Sequence, residues 1–171
     1  ASMSEYRRMP GRFVMPGTYQ VKLTVGDKVH MQPLAVRLDP AISLSAADSA
    51  ALDAVGATQA RLVAATYHAN KTLAPGLSQL TATVKALKDA KADRKLLAQA
   101  EAALKEADRL NVILNGREEG IAQQETFLPL AELTQRLYTS TQDYSAAPDP
   151  AQRQLTASAD ADVKAFYRDL G

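Results

Sequence analysis

Glu118, Glu119 and Glu125 stand close together in the one sizeable polar loop of the chain. Two carboxylates about 5 to 10 Å apart can do acid–base work on a glycosidic bond. That chemistry also needs a sugar platform and a neighbour that splits the proton affinities of the pair. Neither an aromatic platform nor a polarising residue accompanies these three glutamates. Their pattern fits a solvated loop, and a small glycosidase-like hydrolase is the alternative reading.

The other reactive residue types are sparse. His30 and His68 are the only histidines, and there is no cysteine. Zinc takes three or four protein ligands, so a site would have to join both histidines to carboxylates from two regions. His68 has no ligand four residues on, and His30 is expected to face away from the apolar side of its strand. Lack of cysteine also excludes disulfides and a thiolate nucleophile. Gly116 and Gly120 belong to no strand–loop–helix pattern ending in Lys-Ser/Thr, so they make no phosphate cradle. Arg7, Arg8 and Arg12 form a small basic cluster. Nucleic-acid binding wants a wider basic stripe interleaved with aromatics. A net charge of +1 supplies no field to steer nucleic acid or an anionic membrane. The expectation is no catalytic residue, no cofactor, no metal and no nucleic-acid partner, with the arginines forming a flexible or partner-facing arm.

Two regions must position these residues. Everything strand-like lies before Asp39-Pro40, where proline's restriction of its predecessor makes a natural joint. The division is residues 1–40, a β segment, and 41–171, a helical bundle. Residues 1–12 read as a poorly ordered lead-in or a strand without its partners, and Phe13-Val14-Met15 as a short strand. After the Pro16-Gly17 turn pair, Tyr19, Val21, Leu23 and Val25 alternate with Gln20, Lys22 and Thr24, the period-two pattern of a strand with one buried face. Gly26-Asp27 reverses the chain. Leu34, Val36 and Leu38 then share a side of a second strand, which Pro33 interrupts or confines to an edge. Two or three strands are marginal in water. They read as the last strands of an Ig-like sandwich that begins upstream; otherwise they must pack on the helices or on another copy.

The remainder is helical. Ser45 and Asp48 resemble a capping box and start a helix at about Ala46. Leu52, Val55, Gln59, Leu62, Val63, Thr66 and Leu73 follow helical spacing, and Pro75-Gly76 should break or kink the helix. Leu77, Leu80, Val84 and Leu87 resume the spacing. Asp93 starts the next helix, whose narrow stripe is Leu97, Ala100, Leu104, Ala107, Asn111 and Leu114, with Gly116 as its stop. Thr126 is a candidate cap for a helix carrying Leu130, Leu133, Leu137 and Tyr138. Asp149-Pro150 starts the last one. Short joints favour antiparallel neighbours, so the fold expected is mainly α: an antiparallel four- to five-helix bundle after a β-hairpin or three-strand remnant. Tyr138, Tyr144, Phe166 and Tyr167 could line a groove between the last two helices, and their spacing favours burial over binding. No apolar run approaches the ~20 residues of a membrane span.

Residues 14–28, VMPGTYQVKLTVGDK, followed by QPLAVRLDP at 32–40, carry a family resemblance. They resemble the C-terminal region of large bacterial proteins with sortilin-like (VPS10-like) BNR-repeat β-propellers, often labelled glycosyl-hydrolase-like. There a propeller is followed by a β-sandwich that ends in a similar passage and then by a helical tail. Ala146-Ala147-Pro148-Asp149-Pro150 is similar to a joint in that tail. The resemblance implies a secreted or periplasmic location and a non-catalytic module after a propeller. No active-site residue carries over, because the propeller is not in this sequence. The partner expected is another protein or the rest of a larger chain. Contact is expected through Val29, Met31, Leu34 and Val36 by strand addition, or through Tyr138, Tyr144, Phe166 and Tyr167. Self-association through the last two helices is a further option.

Overall fold

The computed structural model describes residues 11–117, 128–142 and 146–171. Among them a two-stranded antiparallel hairpin, β1 (Gly17–Val25) and β2 (Lys28–Val36), precedes four helices. These are α1 (Ala46–Asp89), α2 (Arg94–Asn115), α3 (Leu130–Gln142) and α4 (Pro150–Leu170). The fold is mainly α, as the spacing of apolar residues requires. Residues 13–15 form no strand, so the sheet has two strands rather than three.

Local sequence sets most helix ends. The Ser45 hydroxyl accepts from the Asp48 amide at 3.0 Å and donates to the Asp48 carboxylate at 2.7 Å. Asp93 caps α2 by accepting from the Lys95 and Leu96 amides at 2.9 and 3.1 Å. At α4, Asp149 and Gln152 form a reciprocal capping box, each side chain taking the other's amide, with Pro150 in the first turn. Gly116 ends α2 with φ +78 and ψ −174, a region open essentially only to glycine. Thr126 lies outside the described residues.

One expectation about α1 is corrected. Pro75-Gly76 does not end it: α1 runs 44 residues without a break, about 66 Å at 1.5 Å per residue. Pro75 removes one amide donor, but it sits on the exposed side, where water can serve the orphaned carbonyl. Leu73 and Leu77, on the other side, hold both flanking turns in contact with the core. The helix ends instead at Ala90. There the Lys91 amide donates to Lys88 O and the Ala92 amide to Leu87 O. This is a Schellman motif with lysine, φ +50, in the position that glycine usually takes.

The long α1 is the spine of the bundle. Lys88 meets Glu101, and Asn70 meets Asn115, so α2 runs back along its C-terminal half. Thr66 meets Thr134, and the segment at Arg12 and Phe13 joins Asp53 to Gln142, so α3 runs back along its N-terminal half. Gln59 to Thr156 and Ala65 to Tyr167 place α4 over both, and Arg109 to Asp169 ties its end to α2. The shared core comprises Leu62, Ala69, Leu73, Leu110, Leu114, Leu130, Ala131, Leu137, Ala159, Val163 and Phe166. Towards the α1–α2 turn only two helices remain. Their seams alternate steps of four and three, 73, 77, 80, 84, 87 against 97, 100, 104, 107, the 3.5-residue period of a coiled coil.

Polar residues cross this core in layers. Gln59, Thr66, Thr134 and Thr156 are each no more than 4% exposed. Gln59 Nε2 donates to Thr156 Oγ1 at 3.0 Å, and the two threonines meet at 3.2 Å. At the surface beside the core, the exposed Asn115 donates to both Asn70 and Asn111. Such pairs match only in one register, so they align helices that an all-Leu seam would let slide.

Candidate docking surface

The hairpin is built locally and left uncovered. Gly26 has φ +57 and Asp27 a negative φ, the signs of a type II′ turn, which suits the twist of the strands it joins. Nine pairs follow from it, Val25 opposite Lys28 through Gly17 opposite Val36. At its base the Tyr19 hydroxyl donates to Met15 O at 2.6 Å and fixes the chain's entry. The Arg12 guanidinium pairs with the Asp53 carboxylate and donates to Asp53 O at 3.0 Å, and the Arg12 Cδ lies over Gly56 of α1. Phe13 N–H donates to Gln142 Oε1 at 3.2 Å. Arg12 is therefore anchored to the bundle rather than part of a free basic arm; Arg7 and Arg8 lie outside the described residues.

Opposed residues of an antiparallel pair share a face. One face thus carries Gly17, Tyr19, Val21, Leu23 and Val25 from β1 with Lys28, His30, Gln32, Leu34 and Val36 from β2, and the other Thr18, Gln20, Lys22, Thr24, Val29, Met31, Pro33 and Ala35. The β1 side of the first face is the apolar row anticipated from the alternation, with Lys28, His30 and Gln32 beside it and Leu34 and Val36 at its far end, and it is not buried. Leu23 is 58% exposed and Val25 62%, and Val21 and Leu34 are about half exposed. The hairpin does not pack on the helices. His30 is also corrected: it lies opposite Leu23 on the apolar face, because residues 30, 34 and 36 have the same parity. Of the four β2 residues expected to meet a partner, Leu34 and Val36 belong to the apolar face and Val29 and Met31 to the other. Pro33 does not interrupt β2, which pairs straight through it.

The remaining candidates do not converge. Glu118, Glu119, Glu125, Gly120 and Tyr144 lie outside the described residues. His68 is exposed on α1 beside Tyr67, far along the chain from His30, and no cluster of three metal-ligating side chains exists among the described residues. Tyr138 and Phe166 are core residues, as their spacing suggests. Tyr167 is part exposed; its hydroxyl donates to Ala65 O at 2.8 Å and its ring meets Phe166 edge-on. A shallow groove of about 510 Å³ between α1 and α2 has Leu77, Val84 and Leu104 in its floor, and its Glu101 is held by Lys88 at 2.8 Å.

Charges elsewhere pair along and between the helices. Arg109 donates to Glu106 and to Asp169, each at under 3 Å, and its hydrogen bonds hold the Glu106 carboxyl below its usual range. The Lys164 hydrogen bond does the same for Asp160, with Arg61 as a lesser cause. No helix among the described residues is long and apolar enough to cross a membrane.

Spacing alone did not reveal the anchoring of Arg12 on Asp53, since the two are 41 positions apart. The buried Gln59 and Thr66 were visible as members of the helical stripe, but nothing local identified Thr156 and Thr134 as their partners. No protein-family model matches the chain, and no curated protein or solved structure matches it.

Proposed function

We propose that this chain is a non-catalytic interaction module. Its helical bundle is self-sufficient, and its hairpin completes a β-structure that another part of a larger protein, or a partner protein, provides. The observation behind this reading is the exposure of an apolar row, Val21, Leu23 and Val25 with Leu34 near its far end, on a two-stranded hairpin. Two strands without cover are marginal in water. In the bundle, by contrast, the central apolar stripes are buried against one another.

The resemblance of residues 14–40 gives this a concrete form. The hairpin is the end of an Ig-like sandwich following a sortilin-like BNR propeller in a secreted or periplasmic protein, and the bundle is its tail. The test is to extend the chain with whatever its gene encodes immediately upstream of Ala1. Amides of Tyr19–Val36 should then exchange much more slowly than in the 171-residue chain. Unchanged exchange in the extended protein, or an open reading frame with no upstream sequence and a turnover of its own, overturns the reading.

A further inference from the structure

Ladder geometry decides which backbone groups of the hairpin are free. In a two-residue hairpin the closing pair, here Val25–Lys28, exchanges both hydrogen bonds, and bonded and non-bonded pairs then alternate. Leu23–His30, Val21–Gln32 and Tyr19–Leu34 are bonded pairs by that count. The pairs between them point their amides and carbonyls outward. On β1 the outward row is Thr18, Gln20, Lys22 and Thr24, and it is uninterrupted. On β2 the row is Val29, Met31, Pro33 and Ala35. Pro33 has no N–H, so it costs the hairpin nothing and denies an incoming strand its central donor. The two edges of this hairpin are therefore unequal.

We infer that β1, not β2, is the edge that accepts a further strand, and that β2 is the outermost strand of the completed sheet. This rests on the reading of the hairpin as part of a larger sheet. The occupant is an extended strand from such a sheet, apolar at alternate residues so that it continues the face of Val21, Leu23 and Val25. Beside Lys22, on the opposite face, it carries a polar or acidic residue. A second copy of the hairpin is a poor fit by area. Nine residues at ~3.3 Å and two strands at ~4.8 Å make a face of roughly 300 Å², so two hairpins face to face bury about 600 Å², half of what a stable interface needs.

The experiment uses the full 171-residue chain and a synthetic strand, acetyl-Thr-Val-Thr-Val-Glu-Val-Thr-Val-Thr-amide, with residue-resolved amide hydrogen exchange. Saturating peptide should slow the Gln20, Lys22 and Thr24 amides by tenfold or more and leave Met31 and Ala35 unchanged. Lys22→Pro, which removes an outward donor and no ladder bond, should abolish the effect; Pro33→Thr should preserve it. The same peptide N-methylated at alternate residues should fail without any change to the protein. Protection of Met31 and Ala35 instead overturns the edge assignment and leaves the larger-sheet reading standing. Protection of neither row overturns both. Concentration-dependent protection of Gln20 and Lys22 without peptide overturns the choice of occupant in favour of a second copy.

Discussion

Leu23 in the hairpin and Leu114 in the bundle are the same residue in equally regular apolar patterns, yet one is 58% exposed and the other 0%. The difference lies in how the two kinds of element satisfy themselves. A helix closes its backbone hydrogen bonds internally and needs only one stripe covered. Three helices around a long spine cover each other's stripes. A strand needs neighbours on both edges and cover on its face, and two strands cannot supply either. Periodicity thus reveals that a face is meant for burial without revealing whether the chain itself contains what buries it.

The strongest test of this contrast is a pair of truncations. Leu114→Ala should destabilise the protein by about 3–5 kcal/mol, the range for leucines in close-packed cores. Leu23→Ala should change it by less than about 0.5 kcal/mol, as for other exposed sites. Urea unfolding followed by circular dichroism reads both. Equal losses would mean that the hairpin's face is covered in solution, and the contrast would collapse.

Pro75→Ala probes the spine. Proline in a helix interior is about 3 kcal/mol less favourable than alanine. Pro75 is exposed and its replacement meets no tertiary conflict, so a gain of about 2–3 kcal/mol is expected in the same measurement. No gain would mean that α1 is two helices and that the bundle lacks its continuous spine.

How far the sequence could be read follows the same division. Caps at Ser45, Asp93, Asp149 and Gly116 are local chemistry, and all four were legible. The strands and their turn were legible for the same reason. The break expected at Pro75 failed because tertiary packing of Leu73 and Leu77 outweighs one lost hydrogen bond. Burial of the Tyr19–Val25 face failed for the opposite reason, since alternation records an intention that no described part of the chain fulfils. As for the docking surface, its apolar residues were plain in the alternation. The inequality of its edges was hidden, because it depends on counting outward from the Gly26-Asp27 turn to Pro33.

Smaller effects come from glycine-like positions. Gly116→Ala should cost about 1–3 kcal/mol, because its backbone region is closed to other residues and a new Cβ would sit 3.0 Å from Pro129 Cγ. Lys91→Gly should add about 1 kcal/mol by relieving the left-handed lysine at the end of α1. Gly26→Ala strains the hairpin turn in a similar way, yet it should leave bundle unfolding unchanged if the hairpin contributes nothing to it. A shared loss at Gly26 and Gly116 would show the two regions unfolding as one.

The smallest expected effect is on acid stability, and it too separates the regions. Glu106 and Asp160 are held below their usual values, 4.5 and 3.8, chiefly by hydrogen bonds from Arg109 and Lys164. A carboxylate with a lowered folded-state value binds fewer protons folded than unfolded. Its contribution is therefore complete above the unfolded value and is lost as pH falls through the folded one. The bundle should weaken progressively below about pH 4.5, while the hairpin, which holds none of these pairs, should not respond through them. Both carboxylates belong to surface pairs, so added salt should shrink the effect. Arg109→Gln should flatten the acid limb of bundle unfolding without altering exchange in β1 or β2. If the acid limb keeps its slope in that variant, the Glu106–Arg109–Asp169 link between α2 and α4 carries no stability.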